Sequence, residues 1–174
     1  VTVAGLGLVM EVQDYFDGEA DKLAKAWLAE YVPQIKTLKH ERKEAYRQIV
    51  EMSTEPQDVD FTLRATIPSL GSAILNTAGA DAHGKGFGVD TLSADNHSWV
   101  LSRMAIEFDR RPTQYTDYTI STWISDYGRV LSTRNFTLCD ASGVDFGRAV
   151  SQWAMIDLRS RTAVDLSWVG DAHA

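Results

Sequence analysis

Cysteine is almost absent from this chain, with one residue, Cys139, in 174. A single thiol builds neither an intrachain disulfide framework nor a cysteine-rich zinc site. Positive charge is also short: 17 Lys and Arg against 24 Asp and Glu give a net charge of −7. That balance argues against a nucleic-acid or anionic-membrane partner, both of which want a basic surface. No apolar run approaches the roughly 18 residues of a membrane span. The opening Val1–Met10 lacks the basic start of a signal peptide. No metal-ligand spacing occurs among His40, His83, His97 and His173. The Gly5-x-Gly7 pair lacks the third glycine of a dinucleotide fingerprint, because position 10 is Met. Gly84-Lys85-Gly86-Phe87-Gly88 lacks the ending of a phosphate loop. These absences predict a cytoplasmic protein in a reducing compartment, with no cofactor and no metal.

What is present is ordinary globular material, 44% hydrophobic and 24% charged. A chain of this length buries about 70% of its unfolded surface without a covalent staple. The composition changes near residue 53. Five of six lysines lie before it, and residues 1–52 contain no serine against thirteen in the remainder. Arginine runs the other way, two before and nine after. The shift predicts two segments: an N-terminal, mostly helical extension over 1–53 and a domain over 54–174. In the extension, Val1–Val12 is compatible with a buried strand. Leu23, Trp27 and Tyr31 share a helical face, and Ile35, Leu38, Tyr46 and Ile49 mark a second amphipathic stretch. The charged run Lys39–Glu44, His40 included, reads as a solvated helix face.

From residue 54 the pattern differs. Val59–Arg64 alternates like a strand. Pro68 opens a helix that runs to about His83, with Gly84 beyond its end. Gly71, Ala73, Ala78, Gly79, Ala80 and Ala82 make it small or apolar nearly all round, which predicts burial of its whole circumference. Four runs rich in β-branched and aromatic residues follow, Ser98–Arg110, Tyr115–Asp126, Val130–Cys139 and Ala149–Leu158, separated later by turn sequences. One buried helix before an antiparallel meander is solved by a sheet curled around the helix. The predicted class is α+β, in the hotdog arrangement.

Particular residues carry a resemblance. Asp60-Phe61, Arg64–Gly71, Leu75-Asn76, Ala78-Gly79, Gly86-Phe87-Gly88 and the stretch Trp99–Glu107 resemble the N-terminal hotdog of acyl-ACP thioesterases. Ser121-Thr122-Trp123 and Ser151–Leu158 are similar to the same family, so the resemblance covers about residues 58–166. It implies a domain that shapes the acyl-chain pocket of an enzyme hydrolysing the thioester between a fatty acid and acyl carrier protein. The family's catalytic Asp-x-Asn-x-His motif belongs to a second hotdog and does not occur in these residues. Asp95-Asn96-His97 has the right residue types, but consecutive strand residues face opposite ways.

No catalytic residue is assigned. Asp81 and His83 lie two apart on a helix and diverge by about 200°. Cys139 has no neighbour in sequence that lowers its pKa. Ser102 lacks a strained elbow, and Asp58 and Asp60 are expected to face solvent. Binding is better founded. Ile74 and Ala78 on the helix, with Val100, Met104, Ile106 and Phe108 alternating on the first long strand, are the expected acyl-pocket residues. Arg110, Arg111, Arg148, Arg159 and Arg161 are candidates for a basic patch facing an acidic carrier protein. A lone hotdog sheet also leaves edges unpaired, which predicts a homodimer through the sheet or coverage by the N-terminal segment. The rival readings are a non-catalytic binding or structural hotdog, a joined chain with no native activity, and a dehydratase-like hotdog.

Overall fold

The computed structural model describes residues 2–4, 7–9, 26, 29 and 48–172. In chain order the elements are β1 (Thr2–Ala4), β2 (Gly7–Val9), β3 (Gln48–Ser53), a 3₁₀ turn (Pro56–Asp58), α1 (Ile67–Gly84) and α2 (Val89–Leu92). After a second 3₁₀ turn (Ser93–Asp95) come β4 (His97–Phe108), β5 (Asp117–Tyr127), β6 (Leu131–Asp140), β7 (Asp145–Asp157), β8 (Thr162–Ala163) and α3 (Ser167–Ala172). One antiparallel sheet has the order β1-β2-β4-β7-β6-β5-β3, with β8 pairing β7. The four long strands and α1 are the expected elements, but only β5, β6 and β7 form a meander: β4 pairs with β7 rather than with β5, the next strand in the chain.

Local chemistry sets each boundary. The Thr66 hydroxyl accepts from Ser69 N at 3.2 Å at the start of α1, where Pro68 sits in the first turn. Gly86, at φ 79°, turns the chain just beyond its end. In the β6–β7 turn the Asp140 carboxylate accepts from Ser142 N at 2.9 Å and Val144 N at 3.0 Å, and Gly143 takes φ 77°. Between β5 and β6, Gly128 has no room for a side chain, since a Cβ there lies 2.8 Å from the Leu131 carbonyl oxygen.

The main core lies between α1 and the sheet. Leu70, Ile74 and Ala78 meet Met104, Ile106 and Phe108 of β4, Ile120 of β5, Phe136 and Leu138 of β6, and Phe146 and Ala149 of β7. A second cluster, Ala82, Phe87, Leu92, Met155, Leu166 and Val169, closes the other end.

The structure corrects three expectations. The sheet does not bury all of α1: Ser72, Asn76, Gly79, Ala80 and His83 form an exposed stripe, the polar and smallest positions of the helix. Val59–Arg64 is a turn, not a strand. Asp60 Oδ1 accepts from Thr62 N at 2.8 Å, Leu63 takes φ 59°, and just two isolated bridges, Val59–Ala65 and Arg64–Thr113, are sheet-like. Gln48–Ser53, placed in the helical extension, is a strand paired with β5 over six positions. Val50 and Met52 are half-buried while Ile49, Glu51 and Ser53 are exposed, a period of two. A boundary at residue 53 therefore cuts β3 from its partner. β1 and β2 also join the sheet, β2 pairing β4. Ala26 and Ala29 are helical, and the other helical positions expected before residue 48 lie outside the described residues.

Candidate functional site

A cavity of about 210 Å³ opens between the C-terminal half of α1 and the sheet. Leu75, Ala78, Gly79 and Ala82 form the helix side; Trp99, Ile124 and Trp153 form the sheet side. Phe87, Gly88 and Val89 close it from the loop after α1. Space exists here because the helix presents alanine and glycine where larger residues would reach the strands. Val89 is 55% exposed and marks the mouth. Trp99 fixes the loop: its indole N–H donates to the Phe87 carbonyl at 2.8 Å, and the two rings meet edge to face at 6.2 Å.

The floor is polar. Arg134 and Ser132 of β6 both line the cavity and are both buried. Arg134 Nη1 donates to Asp81 Oδ2 at 2.6 Å and to Thr122 Oγ1 at 3.2 Å. Asp81, 2% exposed, also receives Lys85 Nζ at 2.9 Å, so one carboxylate serves two cations. This cluster joins α1 to β5 and β6 through residues distant in sequence. Burial pushes the nearby Tyr127 hydroxyl above its ordinary range, with the Arg134 charge opposing and the Asp81 charge assisting.

Of the expected pocket residues, only Ala78 lines this cavity. Ile74, Met104, Ile106 and Phe108 lie in the closed core nearer the other end of α1. Val100 is 41% exposed and faces out. The cause is a β-bulge: Leu101 pairs with Trp153 but Arg103 pairs with Gln152, so Ser102 is an extra residue. Inward parity is odd before it, at Trp99 and Leu101, and even after it, at Met104, Ile106 and Phe108. An unbroken alternation cannot reveal this. Trp99 and Trp153 are the large cavity-lining side chains that reading missed.

The candidate chemical groups do not converge. Asp81 points inward while the His83 side chain is 71% exposed, as their spacing requires. His83 has a partner that helical spacing hides: its Nδ1 lies 2.8 Å from Asp90 Oδ2 on α2, across the glycine loop. The Asp90 carboxyl sits below its ordinary range because hydrogen bonding and charge from His83 outweigh desolvation. Asp95 ends the 3₁₀ turn, Asn96 adopts φ 58°, and His97 Nε2 lies 3.9 Å from Asp157. The Cys139 thiol is buried and donates to Asp145 at 3.0 Å. Asp60 is held by Thr62 and Arg111, the latter at 2.9 Å, well below the usual carboxylate range. Among the described residues no His, Cys, Asp or Glu group is arranged to hold a metal. The cavity lining contains donors, Arg134 and Ser132, and no carboxylate or imidazole to act as a base.

The five arginines do not form one patch. Arg110 pairs with Asp140, Arg111 with Asp60, and Arg148 with Asp109, all at the end of the sheet away from the cavity. Arg159 and Arg161 lie in the turn after β7, at the cavity end. No helix of the described residues is long and apolar enough to cross a membrane.

Comparison with known proteins follows the same outline. The sequence profile described as the acyl-ACP thioesterase N-terminal domain matches residues 44–167. The crystal structure of an acyl-ACP thioesterase from Bacteroides thetaiotaomicron superposes with a TM-score of 0.68 at 42% identity, covering 70% of this chain and 50% of that one. The oleoyl-acyl carrier protein thioesterase of Coriandrum sativum chloroplasts is 29% identical over 111 residues, 60% of this chain and 30% of that protein. A different protein, YagJ of Escherichia coli, is 92% identical over 61 residues, 35% of this chain and 25% of YagJ. The chain thus spans at most half the length of these relatives.

Proposed function

Because this chain belongs to the acyl-ACP thioesterase family and carries its N-terminal domain, we propose that its cavity receives the fatty acyl chain of an acyl-ACP. The observation that carries this is the cavity itself: apolar walls from Leu75, Ala78, Trp99, Ile124 and Trp153, and an exposed rim at Val89. Ile74, Met104, Ile106 and Phe108 support the wall from behind. The carrier protein docks at the cavity end, where Arg159 and Arg161 offer positive charge to an acidic partner. The setting is cytoplasmic, and two copies join through a sheet edge, since β1 and β3 each pair on one side only among the described residues. Light scattering checks the last point.

Hydrolysis needs a base and oxyanion donors aimed at the thioester. The lining supplies donors alone, so acyl groups bind here without acceleration of their release. The test is a thiol-release assay with the purified chain and acyl-ACPs of graded length, beside direct measurement of acyl binding. Length-dependent binding without thiol release is expected. Turnover that survives substitution of Asp81, His83, Asp95 and His97 overturns the non-catalytic part; absence of binding overturns the whole. A second reading, a joined chain of two origins with no native activity, is favoured by the lysine and serine shift and by the 92% identity to YagJ over 61 residues. On that reading neither binding nor turnover is observed.

A further inference from the structure

The charged floor of the cavity is an unexpected feature for a site that takes only hydrocarbon. The Arg134 side chain is 5% exposed and lines the cavity. A guanidinium carries five N–H donors in a fixed plane. Here Nη1 alone is engaged, by Asp81 and Thr122. Nε and Nη2 have no protein acceptor among the described residues. The charge is also surplus: Arg134 and Lys85 share the one carboxylate of Asp81, which Lys85 already holds at 2.9 Å. Ser132, buried beside Arg134 on β6, adds a hydroxyl to the same floor.

We propose that this floor is an oxygen-recognition site, at which Arg134 donates from Nε and Nη2 to a hydroxyl or carboxylate at the far end of the aliphatic chain that fills the cavity. The substrate class is an ω-oxygenated acyl group. The inference rests on the acyl-binding reading and extends it to what the chain carries. A plain methyl terminus pressed against the guanidinium removes its water and returns no acceptor. An oxygen restores the bonds, and a carboxylate also balances the surplus positive charge. A site built around buried donors discriminates against ligands that lack the acceptor far more sharply than an apolar pocket distinguishes chain lengths.

The experiment uses the full chain and a graded series of straight-chain acyl pantetheine amides, each paired with its ω-hydroxy and ω-carboxy counterpart, titrated by calorimetry. At the length that reaches the floor, the oxygenated members bind at least about tenfold tighter than the plain one, the size of one hydrogen bond to a charged group. In Arg134→Met that preference, read as the ratio of oxygenated to plain binding, falls to about one. If Arg134→Met does not fold, Asp81→Asn/Arg134→Met removes both charges and serves instead. Equal binding of plain and oxygenated chains, meaning that Arg134 keeps only a water, overturns the proposal and leaves acyl binding standing. A preference that survives loss of Arg134 overturns it too. Failure of every amide to bind overturns the acyl-binding reading along with it.

Discussion

Replacing Arg134 by Met removes one half of a buried ion pair and tests how the helix is tied to the sheet. Breaking such a pair typically costs 3–5 kcal/mol, because the remaining charge loses its partner in a low-dielectric interior. Here the remaining carboxylate is not wholly abandoned: Lys85 Nζ stays 2.9 Å from Asp81, on a side chain 25% exposed and so partly screened by water. Loss of the Thr122 hydrogen bond adds about 1 kcal/mol. The low end of the range therefore applies to the pair, giving about 4 kcal/mol in all, or a fall in Tm of about 8–16 °C for a domain of this size. Asp81→Leu alone strands Arg134 and Lys85 without an anion and costs about as much. Asp81→Leu/Arg134→Met leaves an apolar contact in place of the pair and recovers most of the loss. Urea unfolding of the four proteins, with slopes compared to confirm that only the midpoint moves, yields the coupling energy of the cycle, expected at about 2–3 kcal/mol. Additive single effects, or a cost below about 1 kcal/mol for Arg134→Met, refute the claim that this pair fastens α1 over the cavity floor.

Four further outcomes follow from the geometry. Gly88→Ala places a Cβ 2.5 Å from Asp90 Oδ1 and 2.9 Å from the His83 Cα, so it disrupts the His83–Asp90 contact and costs about 1–3 kcal/mol. Gly71→Ala, with nothing within 4 Å inside a helix, instead stabilises by up to about 1 kcal/mol in the same denaturation assay. On β4, Val100→Asp changes stability by about 0.5 kcal/mol or less, while Leu101→Asp, one residue on, costs more than about 2 kcal/mol; the opposite order would restore the unbroken pleat. Burial, with a smaller contribution from Asp58, pushes the Tyr118 hydroxyl up to about 12. The fold prefers the protonated form, so its contribution is complete below the ordinary value near 10 and is lost as pH rises toward 12. The phenolate absorbance that Tyr118→Phe removes should therefore be the last to develop in an alkaline titration of the folded protein.

Much of this architecture was legible because it is local. A small-residue helix opened by Thr66 and Pro68, and strands such as Asp117–Tyr127 with alternating β-branched residues, announce themselves over short windows. The errors have two physical origins, pairing with a distant partner and a local side-chain bond to the backbone. Gln48–Ser53 is too short to declare its period, and becomes a strand by bonding to β5 some seventy residues later. Val59–Arg64 has strand-like residues, yet Asp60 captures the Thr62 backbone and turns the chain. The site was less legible than the fold. Asp81 and Arg134 lie 53 positions apart, and nothing local joins them. The bulge at Ser102 moved the pocket wall from Val100 to Trp99, leaving Ala78 as the one expected residue on the cavity surface.

That extra residue divides β4 into two stretches with separate duties. Trp99, ahead of it, shapes the hollow; Met104, Ile106 and Phe108, behind it, hold the domain together. β5 has its own irregularity at the same end, between Ile124 and Asp126. Substitutions that reshape the hollow are thereby insulated from the residues that keep the chain folded, and a library randomised at Trp99, Ile124 and Trp153 should retain soluble members where one at Met104, Ile106 and Phe108 would not. Removing Ser102 abolishes that independence, because every side chain on one flank of the strand would then exchange faces with its neighbour.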